Sequence, residues 1–183
     1  ELFADIGFIG LPNAGKSSLL NSLTNAKAQV GDYAFTTLDP NLGDFYGYVV
    51  ADIPGLIEGA SEGKGLGVKF LRHIKRTSML AHLISFENLD KGSAGMMKAY
   101  KEVRKELTKY DKKLGLKEDG LSDKKEIIIL TKSDVVDKKI VTKIVAKFKQ
   151  ISAQVFVITL YDDQSVKKFT DSLVKILQKY YSK

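Results

Sequence analysis

Short apolar runs alternate along the chain with stretches whose apolar residues recur every three or four positions. The runs at residues 3–9, 46–51, 80–86, 127–130 and 155–159 are rich in Ile, Val, Leu and Phe. Such runs are too short for helices and suit strands buried on both faces. Helical spacing falls between them, at residues 16–25, 64–77, 95–110, 137–149 and 164–180. A sixth strand is expected at residues 42–46, turned at Gly47 into the next strand and therefore antiparallel to it. The alternation predicts an α/β fold: a mostly parallel six-stranded sheet flanked by helices on both faces. No repeat or low-complexity segment interrupts the pattern, and 183 residues suit one domain with an adequate core. In sheets of this kind ligands sit beyond the carboxyl ends of the strands.

Each polar motif of interest follows one of those strand ends. Residues 10–17 read GLPNAGKS, the spacing G-x-x-x-x-G-K-S between a strand and a helix. Consecutive backbone N–H groups at a helix start bind an anion without side-chain charge. Gly10 and Gly15 let the backbone turn closely around a phosphate, with Leu11, Pro12, Asn13 and Ala14 forming the turn. Lys16 brings a positive charge to the terminal phosphates, and the Ser17 hydroxyl, followed by Ser18, is suited to Mg²⁺. The fold expected is therefore that of P-loop NTPases.

The strand ending at Ala51 runs into Asp52, Ile53, Pro54 and Gly55. A carboxylate here can hold Mg²⁺ through water, and the Gly55 N–H can meet a terminal phosphate. Alone this D-x-x-G is weak; beside a phosphate loop it supplies the second strand end that a bridging metal needs. Upstream, residues 32–43 form a polar segment, punctuated by Gly and Pro, that is too long for a connector. A threonine there could complete the metal shell only while a terminal phosphate is present. Thr36 and Thr37 are both candidates by chemistry alone, flanked by Phe35, Leu38 and Asp39.

After residues 127–130 come Thr131, Lys132, Ser133 and Asp134. A carboxylate in the plane of guanine accepts from its ring N–H and its amino group together, whereas adenine offers no such pair. Asp134 is that candidate, and the wrong base would leave it unpaired, which is costly. The stem of Lys132 can pack over the base. A helix cap at Ser133 or Asp134 would explain the same four residues.

Composition narrows the setting. The chain has no cysteine, which excludes disulfides and thiolate metal sites and is compatible with a reducing cytosol. No stretch approaches the roughly 20 apolar residues of a membrane span. A soluble, cytoplasmic protein is expected, and because the chain starts almost directly on a core strand, a domain cut from something longer. The net charge of +7 favours polyanions, yet lysine-rich helices are usually solvated faces. Aromatic and basic residues are not interleaved as in modules that stack nucleic-acid bases. His73 and His82 lack neighbours at ligand spacing and read as structural or solvated, and Tyr180 and Tyr181 as packing residues. Gly59, Gly63, Gly65 and Gly67 read as a flexible second switch.

With GLPNAGKSS, FTTLDPNLG, DIPGLIEGASEGKGLG and FLRHI in this order, the chain resembles the GTPase domain of the Obg family of ribosome-assembly GTPases. The resemblance covers essentially the whole chain, residues 1–183, without the family's glycine-rich N-terminal domain or its C-terminal extension. It implies GTP binding and hydrolysis to GDP, Mg²⁺ as cofactor, and action on the pre-ribosomal large subunit, its RNA or proteins. It also implies sensing of guanosine tetraphosphate; a monomer is expected. By motif position it assigns the metal ligands to Ser17 and Thr37, with Asp52 acting through water. Guanine contacts then fall on Thr131, Lys132 and Asp134, with Thr159, Leu160 and Tyr161 as the last nucleotide-contacting turn. It further suggests Asn13 as a ligand for K⁺, although Asn13 could equally only shape the turn.

Three positions depart from the family pattern: Ala34 for proline, Thr131 for asparagine, and Thr159-Leu160 for serine-alanine. The Thr131 hydroxyl can still reach the phosphate loop, so modestly weaker binding is expected. Lys16, Thr37 and Gly55 are the expected catalytic positions. Leu56 stands where many small GTPases carry a water-orienting glutamine, as it does in the family, so intrinsic turnover should be slow. Leu56 also keeps open a GTP-sensing module with negligible turnover; an ATPase or nucleotide kinase on the same loop is the remaining alternative.

Overall fold

The computed structural model describes residues 2–24, 29–30, 41–53, 72–91 and 94–182. Their strands are β1 (Ala4–Gly10), β2 (Gln29–Val30), β3 (Asn41–Phe45), β4 (Tyr48–Asp52), β5 (Thr77–Ser85), β6 (Lys125–Thr131) and β7 (Val155–Ile158). Four helices accompany them: α1 (Lys16–Thr24), α2 (Gly95–Lys113), α3 (Lys138–Lys149) and α4 (Asp163–Tyr181). The strand order is β2-β3-β4-β1-β5-β6-β7. β1 pairs in parallel with β4 and β5, and the parallel run continues through β6 to β7. The β3–β4 hairpin is antiparallel, as its short connection requires. Beyond the six expected strands, a two-residue rung at β2 extends the antiparallel edge. A pair of residues that short carries no period for sequence reading to detect.

Alternation along the central strands fills both faces. Ile6 and Phe8 of β1, Met79 and Ala81 of β5, and Ile127 and Ile129 of β6 pack with Leu19, Leu20 and Leu23 of α1 and Phe169, Leu173 and Leu177 of α4. On the other face Leu80 meets Val103 and Leu107 of α2. Ile128 and Leu130 meet Ile144 and Phe148 of α3. Burying such side chains contributes roughly 1.5–3 kcal/mol each, which is why the central strands are nearly all apolar.

One boundary needs correction. The helix expected at residues 64–77 is described only at 72–74, and Thr77 opens β5 instead. Thr77 pairs with Ala4 and is buried at 1 % exposure. Polar Thr77 and Ser78 open the strand, so the sequence places its start three residues late, at Leu80. His82 is fully buried. Its Nδ1 lies 2.9 Å from Glu126 Oε1, while Arg104 donates to Glu126 Oε2 at 2.7 Å and to the Ser122 carbonyl at 2.8 Å. The ring stacks on Tyr100, centroids 5.0 Å apart. Burial holds the His82 pKa below the usual imidazole value, although the Glu126 hydrogen bond pulls it the other way.

Candidate nucleotide site

The loop after β1 is built for close approach. A Cβ on Gly10 would lie 2.6 Å from the Leu83 carbonyl oxygen, so only glycine lets β1 leave the sheet there. Asn13 and Gly15 take left-handed conformations, φ 66° and 95°, and the Ala14 N–H closes a turn onto the Leu11 carbonyl at 3.1 Å. Asp137 and Asp162 cap α3 and α4 with their carboxylates. By contrast α1 follows Ala14 and Gly15, which have no polar side chain with which to cap it. Its first N–H groups are thereby suited to an external anion. The Lys16 ammonium arches back over the loop, donating to the Gly10 carbonyl at 3.1 Å.

Ser17 and Asp52 meet although they lie on different elements. The Ser17 hydroxyl donates to Asp52 Oδ2 at 2.6 Å. Asp52 is 4 % exposed, and its other oxygen, Oδ1, is buried without a hydrogen-bond partner. A buried carboxylate oxygen left without a donor is expensive unless something else completes it. Hydroxyl and carboxylate oxygens suit a hard cation that keeps most of its water, so this pair could hold Mg²⁺. No cluster of three or more His, Asp or Glu at metal-binding spacing exists among the described residues. That is compatible with an ion completed largely by phosphate and water.

Beyond the loop lies a cavity of about 300 Å³, lined by Gly15 and Ser18 on one side and by Lys132, Asp134, Leu160 and Tyr161 on the other. Its size fits a purine nucleoside. Thr131 is buried and its hydroxyl donates to the Ala14 carbonyl at 2.7 Å, tying β6 to the phosphate loop. Lys132, at φ 59°, precedes a 3₁₀ turn (Ser133–Val135), and no side chain caps that turn. The capping explanation for Ser133 and Asp134 therefore fails. Asp134 instead accepts from Thr159 Oγ1 at 2.8 Å, and the same Thr159 oxygen accepts the Tyr161 N–H at 3.3 Å. The last turn is thus coupled to the candidate base acceptor through Thr159, in the position where the family pattern has serine.

Phe35, Thr36, Thr37, Leu38, Asp39, Pro54 and Gly55 lie outside the described residues, as do Ala34, Leu56, Gly59, Gly63, Gly65 and Gly67. Ile53 is described: its side chain is buried and its N–H donates to the Phe8 carbonyl at 3.1 Å, so it anchors the strand end. Pro12 and Asn13 are exposed at the loop apex. Sequence reading missed Glu87, which lines the cavity in the turn after β5. No motif marks it; only its contact with Lys132 does.

A phosphate loop, a hydroxyl–carboxylate pair and a purine-sized cavity at the carboxyl ends of a parallel sheet define a P-loop nucleotide-binding protein. Solved structures agree on the fold: the G domain of the T. maritima FeoB iron transporter matches 96 % of this chain and 97 % of its own, at TM-score 0.58 and 18 % identity. The M. maripaludis elongation factor SelB, solved with a GTP analogue, matches 96 % of this chain and 34 % of its own, at TM-score 0.55 and 11 % identity. The model of the 50S ribosome-binding GTPase family matches residues 5–132, and the chain belongs to that family. The Obg resemblance holds as well. A protein named GTPase Obg from Rickettsia felis is 45 % identical over 97 % of this chain and 52 % of its own length. Another of that name from Pelagibacter ubique is 43 % identical over 95 % of this chain and 51 % of its own. The chain thus spans about half the length of these relatives.

Proposed function

We propose that residues 1–183 act as one Mg²⁺-dependent switch domain that binds GTP and hydrolyses it to GDP and phosphate. The observation that carries this is the arrangement around one cavity: Gly15 of the phosphate loop on one wall and Asp134, buttressed by Thr159, on the other. In this reading the amides of residues 10–18 and the Lys16 ammonium hold the phosphates. Asp134 selects guanine, Lys132 walls the base, and Thr131 holds the two regions together. Mg²⁺, when bound, would neutralise charge on the phosphates; Ser17 would hold it directly and Asp52 through water, with Thr37 proposed as a further ligand and the Gly55 N–H as a donor to the terminal phosphate. Phosphoryl transfer needs positioning and charge neutralisation more than covalent chemistry, so this inventory suffices for slow turnover. Relatives named as GTPases favour turnover over a binding-only module.

The family description, a 50S ribosome-binding GTPase, supports the large ribosomal subunit as the partner; its precursors as the form bound, and a cytoplasmic monomer as the acting form, are proposed with it. No helix among the described residues is long and apolar enough to cross a membrane. Guanosine tetraphosphate is proposed as a competing ligand at the same cavity. K⁺ is proposed beside the exposed Asn13 side chain. Calorimetry with GDP, GTP, ATP and guanosine tetraphosphate in Mg²⁺ tests the reading: guanine ligands should bind and ATP should not. Absence of heat for GDP and GTP would overturn it. Faster hydrolysis in K⁺ than in Na⁺ at equal ionic strength, lost in Asn13→Ala, is expected; equal rates would remove the K⁺ proposal.

A further inference from the structure

Glu87 has no motif and no assigned role, yet it meets the side chain that walls the base cavity. Its carboxylate Oε2 accepts from the Lys132 ammonium at 2.8 Å, and the same ammonium donates to the Asn13 carbonyl at 2.9 Å. Three loops are joined at this nitrogen: those after β1, β5 and β6. The direction of Glu87 is set locally. Ser85 Oγ accepts the Glu87 N–H at 3.1 Å, and the Ser85 carbonyl accepts from Asn88 Nδ2 at 3.2 Å, fixing the turn as the chain leaves β5. Both Glu87 and Lys132 line the cavity.

We infer that Glu87 is a positioning residue for nucleotide binding, holding Lys132 in place so that its four-carbon stem forms a fixed wall against the purine. The inference rests on the nucleotide reading of the cavity and adds a residue to it. Stability of the fold is a poor reason for this pair. The Glu87 side chain is 51 % exposed and that of Lys132 32 %, and ion pairs so open to solvent contribute little to folding. Preorganisation is a better one: a lysine with four rotatable bonds must otherwise be ordered when the ligand arrives, at the ligand's expense. A purely electrostatic role predicts the opposite sign. A carboxylate beside a polyphosphate site repels it, so removing the charge would tighten binding.

Affinities of the full chain for GDP and GTP separate these possibilities. Glu87→Ala should weaken both nucleotides equally, by about tenfold, the scale of losing a charge-assisted hydrogen bond. In turnover the loss should fall on KM, because the base wall acts alike in ground and transition states. Glu87→Gln, whose amide oxygen still accepts from Lys132, should stay within about twofold of wild type. In a double-mutant cycle, Glu87→Ala added to Lys132→Ala should cost nothing further. The thermal midpoint should not move, which separates positioning from a structural role. Unchanged or tighter binding by Glu87→Ala, additivity with Lys132→Ala, or Glu87→Gln as weak as Glu87→Ala would each overturn the inference while leaving the cavity's assignment intact. Failure of the wild type to bind guanine nucleotides would overturn both.

Discussion

The two ends of the sheet use the same chemistry, carboxylates meeting hydroxyl and amide donors, to opposite ends. At the amino end Asp5 accepts the Val49 N–H at 2.6 Å and the Tyr181 hydroxyl, which also meets Ser78 Oγ at 2.8 Å. Near that end Asp111 accepts the Leu121 and Ser122 N–H groups at 2.7 and 2.9 Å, and the Ser122 hydroxyl. Both carboxylates are buried with both oxygens satisfied by the chain. At the carboxyl end Asp52 is as buried, but one of its oxygens has no partner. Completed carboxylates fasten elements; an uncompleted one is positioned for a ligand. The amino end therefore reads as structure and the carboxyl end as site.

Substitutions at the two ends should separate stability from binding. The largest effect is expected at the base acceptor: Asp134→Ala should reduce the preference for GTP over ATP by about a thousandfold in competition titrations. Its denaturation midpoint should stay near wild type. Next, Asp111→Ala strands three donors and should cost roughly 3 kcal/mol by urea denaturation, with nucleotide affinity retained in the folded fraction. A smaller effect separates Asp52 from Asp111. Asp52→Ala removes a buried carboxylate that the chain leaves half unpaired, so it should not destabilise the fold, while lowering apparent Mg²⁺ affinity in the presence of GTP about tenfold. A stability loss at Asp52 matching that at Asp111 would erase the distinction between the two ends.

The smallest effect concerns pH and lies between the ends, at His82. Its folded pKa is depressed, chiefly by burial. The unfolded chain therefore binds the proton more readily, and stability is fully present above the unfolded value of about 6.5 and falls as pH drops below it. Stability should therefore be lost progressively as pH falls through that unfolded value. His82→Gln, compared over the same range by chemical denaturation, should flatten that part of the profile. Glu126 and Arg104 face the ring's hydrogen-bonded side, and Tyr100 lies on its face. An undiminished slope in His82→Gln would place the titration elsewhere.

Legibility followed distance along the chain. The phosphate loop was readable because its function is local: glycines where the backbone must turn left-handed or approach another strand, and a lysine and serine at a helix start. The strands were readable from apolar runs, and the start of β5 was misplaced because polar Thr77 and Ser78 precede one. The partner of Ser17 was readable only as a fellow metal ligand, and those of Lys132, Asp134 and His82 were not readable. They lie 35, 45, 25 and 44 residues away, at Asp52, Glu87, Thr159 and Glu126.

By itself, then, the order of residues determined the alternation of strands and helices, the family and the motif positions, since periodicity and turn chemistry act over a few residues. Only the packed sheet decided which carboxylate is sealed and which is left open, and which cation is held by which acid. Asp5 and Tyr181, 176 positions apart, become neighbours through it, as do Thr131 and Ala14. Hydrogen bonding needs atoms within about 3 Å, and over such separations only the assembled strands bring them there.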